Sequence, residues 1–232
     1  MKTVGFIGGY DKIDFLLYIS RILTLAQKRV LLIDATILQK ARYVIPAINP
    51  TQSYVTEFEG FDVAVGFKNI DEIKHYLGND KKALEYDIIL IDIDNAEMAK
   101  NFEIEKNNQN CFITAFDLYS LKKGIEILNI FDNPVKMTKV LFSRYSLKEE
   151  NEYLDYLSLG SKVNWDDEIL NFPIELGNYS VMFENQIISR IKIKKLSEHY
   201  KDSLEYFITI IFNEDISPNE VKKIIKTMEK ES

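Results

Sequence analysis

Three apolar runs in the first ninety-odd residues each stop at a glycine or an aspartate, and this punctuation constrains the fold more than any other feature. Thr3-Val4-Gly5-Phe6-Ile7 runs into Gly8-Gly9-Tyr10-Asp11-Lys12-Ile13-Asp14. Val30-Leu31-Leu32-Ile33 ends on Asp34, and Ile88-Ile89-Leu90-Ile91 ends on Asp92. Short runs rich in β-branched residues and bounded by turn formers predict buried strands. Between the first two, Phe15 to about Gln27 reads as an apolar helix.

The same alternation continues downstream. Ala35 to about Gly66 has weaker periodicity and holds Pro46, Pro50 and Gly60, with Val63-Ala64-Val65-Gly66 as a short strand. Ile70 to Leu84 predicts a helix, Cys111 to Thr114 a strand, and Asp117 or Ser120 the cap of a helix carrying Leu121, Ile125, Leu128 and Phe131. Lys139 to Ser143 predicts a further strand and Lys148 to about Leu157 a charged helix. In the last quarter Ile187, Ile188, Ile191 and Leu196 predict one amphipathic helix, and Leu204, Phe207, Ile208 and Ile211 another. Ser217-Pro218-Asn219-Glu220 starts the final helix as a capping box with proline at its first position. Strands alternating with helices predict an α/β fold with a doubly wound, mainly parallel sheet in one three-layer domain over 1–232.

Composition narrows the function. A hydrophobic fraction of 46% with 28% charged residues supports a packed core rather than disorder. The net charge of −7 argues against a surface that grips nucleic acid over its whole extent, leaving only a local basic face. The single Cys111 precludes an internal disulfide, no Cys/His cluster suggests a metal, and His75 and His199 read as surface residues. The apolar start breaks at Gly8-Gly9, unlike a signal peptide, and no run approaches the roughly 20 residues of a membrane span. A cytoplasmic protein is the expectation.

A strand leading through glycines and a lysine into a helix, with later strands ending in aspartate, is the layout of a P-loop. In a working P-loop, backbone N–H groups at a helix start surround the phosphates, a lysine contacts the β/γ-phosphates, and the next Ser/Thr hydroxyl binds magnesium. Gly8, Gly9 and Lys12 fit that scheme. Asp11 and Ile13 do not, since they stand where glycine and the hydroxyl residue belong. A carboxylate about 4 Å from a phosphate charge costs on the order of 4 kcal/mol at an effective dielectric of 20. That is about a thousandfold in affinity. Asp11 is also close enough in sequence to pair with Lys12 and cancel the charge that attracts phosphate.

The chain resembles the MinD/ParA family of deviant-Walker ATPases. The likeness rests on Gly8-Gly9-x-x-Lys12, Val30 to Asp34, Tyr86 to Asp92, Phe112 to Leu121 and Val140 to Tyr145, in that order. The resemblance implies dimers that sandwich ATP to position plasmids, division proteins or surface machines, with Gly8, Gly9, Lys12, Asp34 and Asp92 as nucleotide-binding candidates. It also locates departures: Ile7 stands at the family's signature lysine, Thr36 at its second acidic position, Ser143 at its base-holding asparagine, and Asp92-Ile93-Asp94-Asn95 replaces its usual Walker B sequence. A member that has lost catalysis is the expectation: a homodimeric or partner-binding scaffold with no catalytic residues, no metal and no cofactor. A weak ATPase using ATP and magnesium is the alternative. Plainer roles stay open, with Lys12 as a solvated helix-start lysine, Asp34 and Asp92 as turn caps, and Gly8-Gly9 as a close-packing pair.

Two basic features complete the reading. Arg190, Lys192, Lys194, Lys195 and Lys201 cluster where ParA-like proteins bind DNA nonspecifically, against the simpler reading of a solvated helix face. Lys222, Lys223, Lys226 and Lys230 oppose the stripe of Val221, Ile224, Ile225 and Met228, as in MinD's membrane-targeting tail; the capping box predicts instead a helix packed on the domain, without membrane contact.

Overall fold

In the computed structural model, which describes residues 1–48, 51–78, 82–144 and 148–230, eight strands form one sheet. They are β1 (Lys2–Ile7), β2 (Val30–Asp34), β3 (Tyr54–Phe58), β4 (Phe61–Val65), β5 (Ile88–Ile93), β6 (Gln109–Ala115), β7 (Val135–Ser143) and β8 (Val163–Pro173), in the order β3-β4-β2-β5-β1-β6-β7-β8. All neighbours run parallel except the β3–β4 hairpin. The helices are α1 (Ile13–Leu25), α2 (Ala41–Val44), α3 (Ile70–Tyr76), α4 (Ala96–Asn101), α5 (Leu118–Leu128), α6 (Lys148–Leu157), α7 (Leu176–Ile188), α8 (Glu198–Ile211) and α9 (Pro218–Met228). The expected central strands are adjacent and parallel, with Leu31 beside Ile89 and Val4 beside Leu90.

Successive side chains of a strand point to opposite faces. Val30, Leu32, Ile88 and Leu90 therefore face the core built with α1, α7, α8 and α9, while Leu31, Ile33, Ile89 and Ile91 face the core built with α3 to α6. Both faces are covered, which is why these strands are apolar throughout. On the first side Phe15 of α1 meets the rings of Phe6, Phe142, Phe172 and Phe207 at centroid distances of 6.2, 5.6, 4.9 and 5.1 Å. Helix α9 packs as its capping box predicts, with Val221, Ile225 and Met228 buried and Ser217 capping its start.

Several elements depart from the sequence pattern. Helix α1 begins at Ile13, two residues before Phe15. Helix α3 ends at Tyr76 rather than near Leu84; Gly78 takes φ +71°, the left-handed conformation that commonly terminates helices, and 79–81 lie outside the described residues. Helix α7 stops at Ile188 because Ser189 turns left-handed at φ +51°, so Ile191 and Leu196 are buried from an irregular segment instead. Strands β3 and β8 had no clear pattern. β3 is an edge strand joined to β4 through Glu59 and Gly60, both at positive φ, the geometry of a type I′ hairpin. β8 hides its register in the acidic bulge Asp166-Asp167-Glu168, opposite a single residue of β7. No helix among the described residues is long and apolar enough to cross a membrane.

Phe15 lies 2% exposed at the centre of the aromatic cluster. Replacing it with alanine is expected to lower unfolding free energy by about 3–5 kcal/mol, because the rings around the cavity cannot collapse without losing each other. Urea unfolding followed by circular dichroism measures this.

Candidate functional site

The five residues singled out in the sequence converge at the carboxyl ends of β1, β2 and β5, where open α/β sheets place ligand sites. Asp34 and Asp92 end neighbouring strands and are register partners. The loop from Gly8 to Lys12 leaves β1 beside them and enters α1. A Cβ on Gly8 would stand 1.9 Å from the carbonyl oxygen of Ile113, and its φ of +148° disfavours any other residue. At Gly9 a Cβ would stand 2.7 Å from Lys123 Cβ, so this glycine lets the loop pack on α5.

Lys12 is not a solvated lysine. It is 2% exposed, and its ammonium donates to the carbonyls of Gly8 at 2.8 Å, Tyr10 at 3.1 Å and Ile93 at 3.4 Å. An ammonium has three donors, and these carbonyls take all of them. Asp92 Oδ1 lies 2.9 Å from the same nitrogen yet has no hydrogen bond of its own, so it meets Lys12 as a charge contact. The expected pairing of Asp11 with Lys12 is therefore incorrect. Asp11 turns outward instead: Oδ1 accepts the Ile13 N–H at 3.2 Å and Oδ2 pairs with Lys40. The carboxylate thus sits on the first free N–H of α1, which in a P-loop helps hold phosphate. Its side chain is 54% exposed, so screening makes its repulsion of an incoming anion weaker than the dry-site value.

Asp34 is occupied by its own loop. Its Oδ1 accepts the Thr36 hydroxyl at 2.6 Å and the Thr36 N–H at 3.1 Å, and its Oδ2 accepts the Ala41 N–H at 2.8 Å. The turn-capping role is thus observed for Asp34. Asp94, just past the end of β5, fixes the same loop by accepting the Ile37 N–H at 2.9 Å. Burial raises the Asp34 carboxyl above its ordinary range, opposed by the bonds from Thr36 and Ala41. Burial pushes Asp92 up to about 7; Lys12 opposes the shift and Asp34 adds to it.

Lys40, Tyr10 and Asp14 were not singled out in the sequence. Tyr10 stacks on Phe142 with centroids 4.7 Å apart and its hydroxyl meets that of Tyr179 at 2.9 Å. Asp14 accepts two bonds from Gln186 at 2.9 Å. Lys40 stands in a loop without periodicity, and no local signal links it to a loop 29 residues earlier. Ser143 donates to Glu150 at 2.7 Å. His75 and His199 are exposed, and no group of three or more His, Cys, Asp or Glu among the described residues is arranged to hold a metal. A cavity of about 880 Å³ opens at the opposite end of the sheet beside Lys2, Lys28, Lys136 and Asp166, away from all five candidates.

The fold has counterparts among solved structures. The fold matches a ParA family ATPase from Chlorobium tepidum TLS, at 13% identity and TM-score 0.58, over 90% of this chain and 98% of that one. The fold is that of the ParA/MinD ATPases. An ATP complex of a Cyanothece McdA variant matches at 12% identity and TM-score 0.52, over 97% of this chain and 96% of that one. A chain of the Aquifex aeolicus MinC:MinD cell division complex matches at 13% identity and TM-score 0.51, over 100% of this chain and 97% of that one. No family model and no curated protein matches the sequence.

Asp92 gives the site a pH signature. Its folded pKa lies above the unfolded value near 3.9, so between about pH 4 and 7 the native state keeps a proton that the unfolded chain releases. This contribution to stability is full below pH 4 and is lost as pH rises towards 7. Asp92→Asn is expected to flatten that part of the profile, read as urea midpoints against pH.

Proposed function

We propose that this protein is a catalytically degenerate relative of the ParA/MinD ATPases that works without nucleotide, as a homodimeric, partner-binding scaffold in partition, spatial positioning or assembly of a surface machine. One observation carries the reading: all three donors of Lys12 are satisfied by the protein's own carbonyls, with Asp92 against the same charge. A lysine that binds phosphate must leave those partners. Asp11 on the α1 N–H and Ile13 in place of a magnesium-binding hydroxyl add two further obstacles. The fold itself supports a positioning role, as its solved counterparts include a ParA family ATPase and a MinC-bound cell division complex.

Calorimetric titration of the protein with ATP and magnesium tests this. No binding heat and no turnover above a Lys12→Ala control are expected. Asp11→Gly combined with Ile13→Thr should restore measurable binding, with removal of the carboxylate worth at most about a thousandfold before screening. Tight binding of Mg-ATP by the unaltered chain, with turnover lost in the control, would return it to the active ATPases.

A second reading has its own observation. The five-residue basic cluster is largely neutralised: Arg190 pairs with Glu59, Lys195 with Glu184, and Lys201 is buried between Glu198 and Glu229. By contrast Lys222, Lys223 and Lys226 line the exposed face of α9 and Lys230 follows its end, with no ion pair among the described residues. That row favours nucleotide-independent, nonspecific DNA binding over insertion in a membrane, since the apolar face of α9 is already buried. Duplex DNA binding that weakens steeply with salt, and is lost on replacing the four lysines with glutamine, is its test.

A further inference from the structure

Strand β8 closes one edge of the sheet: it pairs with β7 on one side, and among the described residues no strand pairs with it on the other. Alternate residues of such a strand turn their N–H and C=O groups outward, a template for one more strand. Beyond its bulge, Ile169 to Pro173 run in unbroken register with Lys139 to Ser143, about the length of an ordinary strand. Leu170 and Phe172 are buried in the core shared with α8, whereas Asn164, Asp167, Glu168 and Asn171 are exposed, which leaves the edge open. Apolar surface flanks it on both faces. Ile169 is half-buried on one, and on the other Tyr206 reaches from α8 to donate to Glu168 at 2.9 Å, its ring 47% exposed.

We propose that this edge docks an extended segment of a partner protein as an added strand, and that the segment carries lysine or arginine beside its apolar residues. The proposal gives the partner binding inferred above a surface and rests on that part of the reading. Charge selects the occupant. The bulge Asp166-Asp167-Glu168 borders the cavity of about 880 Å³, which six carboxylates line against three lysines and the amino terminus. Asp166 is matched by Lys136 at 2.7 Å, Asp215 by Lys2 at 3.2 Å, and Asp87 by Arg29. Asp167 and Glu214 have no ion-pair partner among the described residues, and Glu168 accepts from the Tyr206 hydroxyl without losing its charge. This end of the edge therefore stays negative. A strand added along Ile169 to Pro173 continues past the bulge towards the cavity, where its basic side chains meet those carboxylates. In such docking the main-chain bonds supply affinity and the side chains supply selection. Bulges and charges on an edge also keep copies of one chain apart. A second copy brings the same acids and a net charge of −7, so it is the disfavoured occupant.

Fluorescence anisotropy of the full chain with a labelled probe peptide provides the test, the probe being alternating valine and threonine flanked at both ends by lysines. Saturable binding that weakens with salt is expected. Methylating every backbone nitrogen of the probe's strand should abolish it, as should exchanging the lysines for glutamates. Asp167→Lys combined with Glu214→Lys should weaken binding about tenfold, the worth of two exposed ion contacts. Both side chains are exposed and unpaired, so the fold stays intact, which circular dichroism checks. Hydrogen–deuterium exchange with the probe bound should show new protection within Ile169 to Phe172. Absence of binding overturns the proposal. So does equal binding of the methylated probe, which would reduce the contact to charge alone, and so does protection confined to another element. Calorimetry with Mg-ATP reads the nucleotide question separately. A chain that binds the probe and also turns over ATP sinks only the degenerate-ATPase reading, and one that does neither sinks only the docking edge.

Discussion

A lysine ammonium taken out of water must find compensation for the solvation it loses, and at Lys12 that requirement organises the end of the sheet. The cost of burying an unpaired charge is large enough that the group is matched or neutralised. Here the match is made by three carbonyls and one aspartate contributed by the glycine loop and β5. The loop can bring its carbonyls so close only because Gly8 passes under the Ile113 carbonyl, where no side chain fits. Binding of the ammonium, the path of the loop and the adjacency of β1 and β5 are therefore one constraint.

The neighbouring charges arrange themselves around that closed unit. Asp92 satisfies Lys12 at the cost of a carboxyl shifted towards neutrality, and Asp34, one strand over, turns its oxygens to its own loop. Asp11, displaced from Lys12, closes the start of α1 and ties down Lys40 from the loop after β2. A nucleotide-dependent member of such a fold would use phosphate and magnesium to hold these loops. In this chain carboxylates hold them through Asp11, Asp34 and Asp94, the contacts on which the scaffold proposal rests. Tyr10 and Asp14 extend the same fastening to α7.

Much of this was legible in the sequence because it depends on local pattern. Buried parallel strands require apolar runs, so β1, β2, β5 and β6 declared themselves; Ser217 marked the start of α9, and of the two candidates Asp117 and Ser120 the structure makes Asp117 the cap of α5. Elements whose residues serve two masters were not legible. β8 carries Asp166, Asp167 and Glu168 in a bulge, and β3 sets Tyr54 and Phe58 on one core and Val55 against the other, so neither shows a clean alternation. Ile191 and Leu196 share an apolar rhythm with Ile187 and Ile188, yet a left-handed Ser189 separates them.

By itself, the sequence determined which side chains stand at the strand ends: covalent order and strand periodicity bring Gly8, Gly9, Lys12, Asp34 and Asp92 to one edge of the sheet, with Asp11 and Ile13 in the loop. Only the tertiary structure decided how their charges pair. Asp11 is the sequence neighbour of Lys12, but the backbone turns the two side chains apart, and partners arrive from 29 and 80 residues away in Lys40 and Asp92. Sequence proximity fixes the distance between backbones; burial, which only the folded chain establishes, fixes which ion pair is worth making.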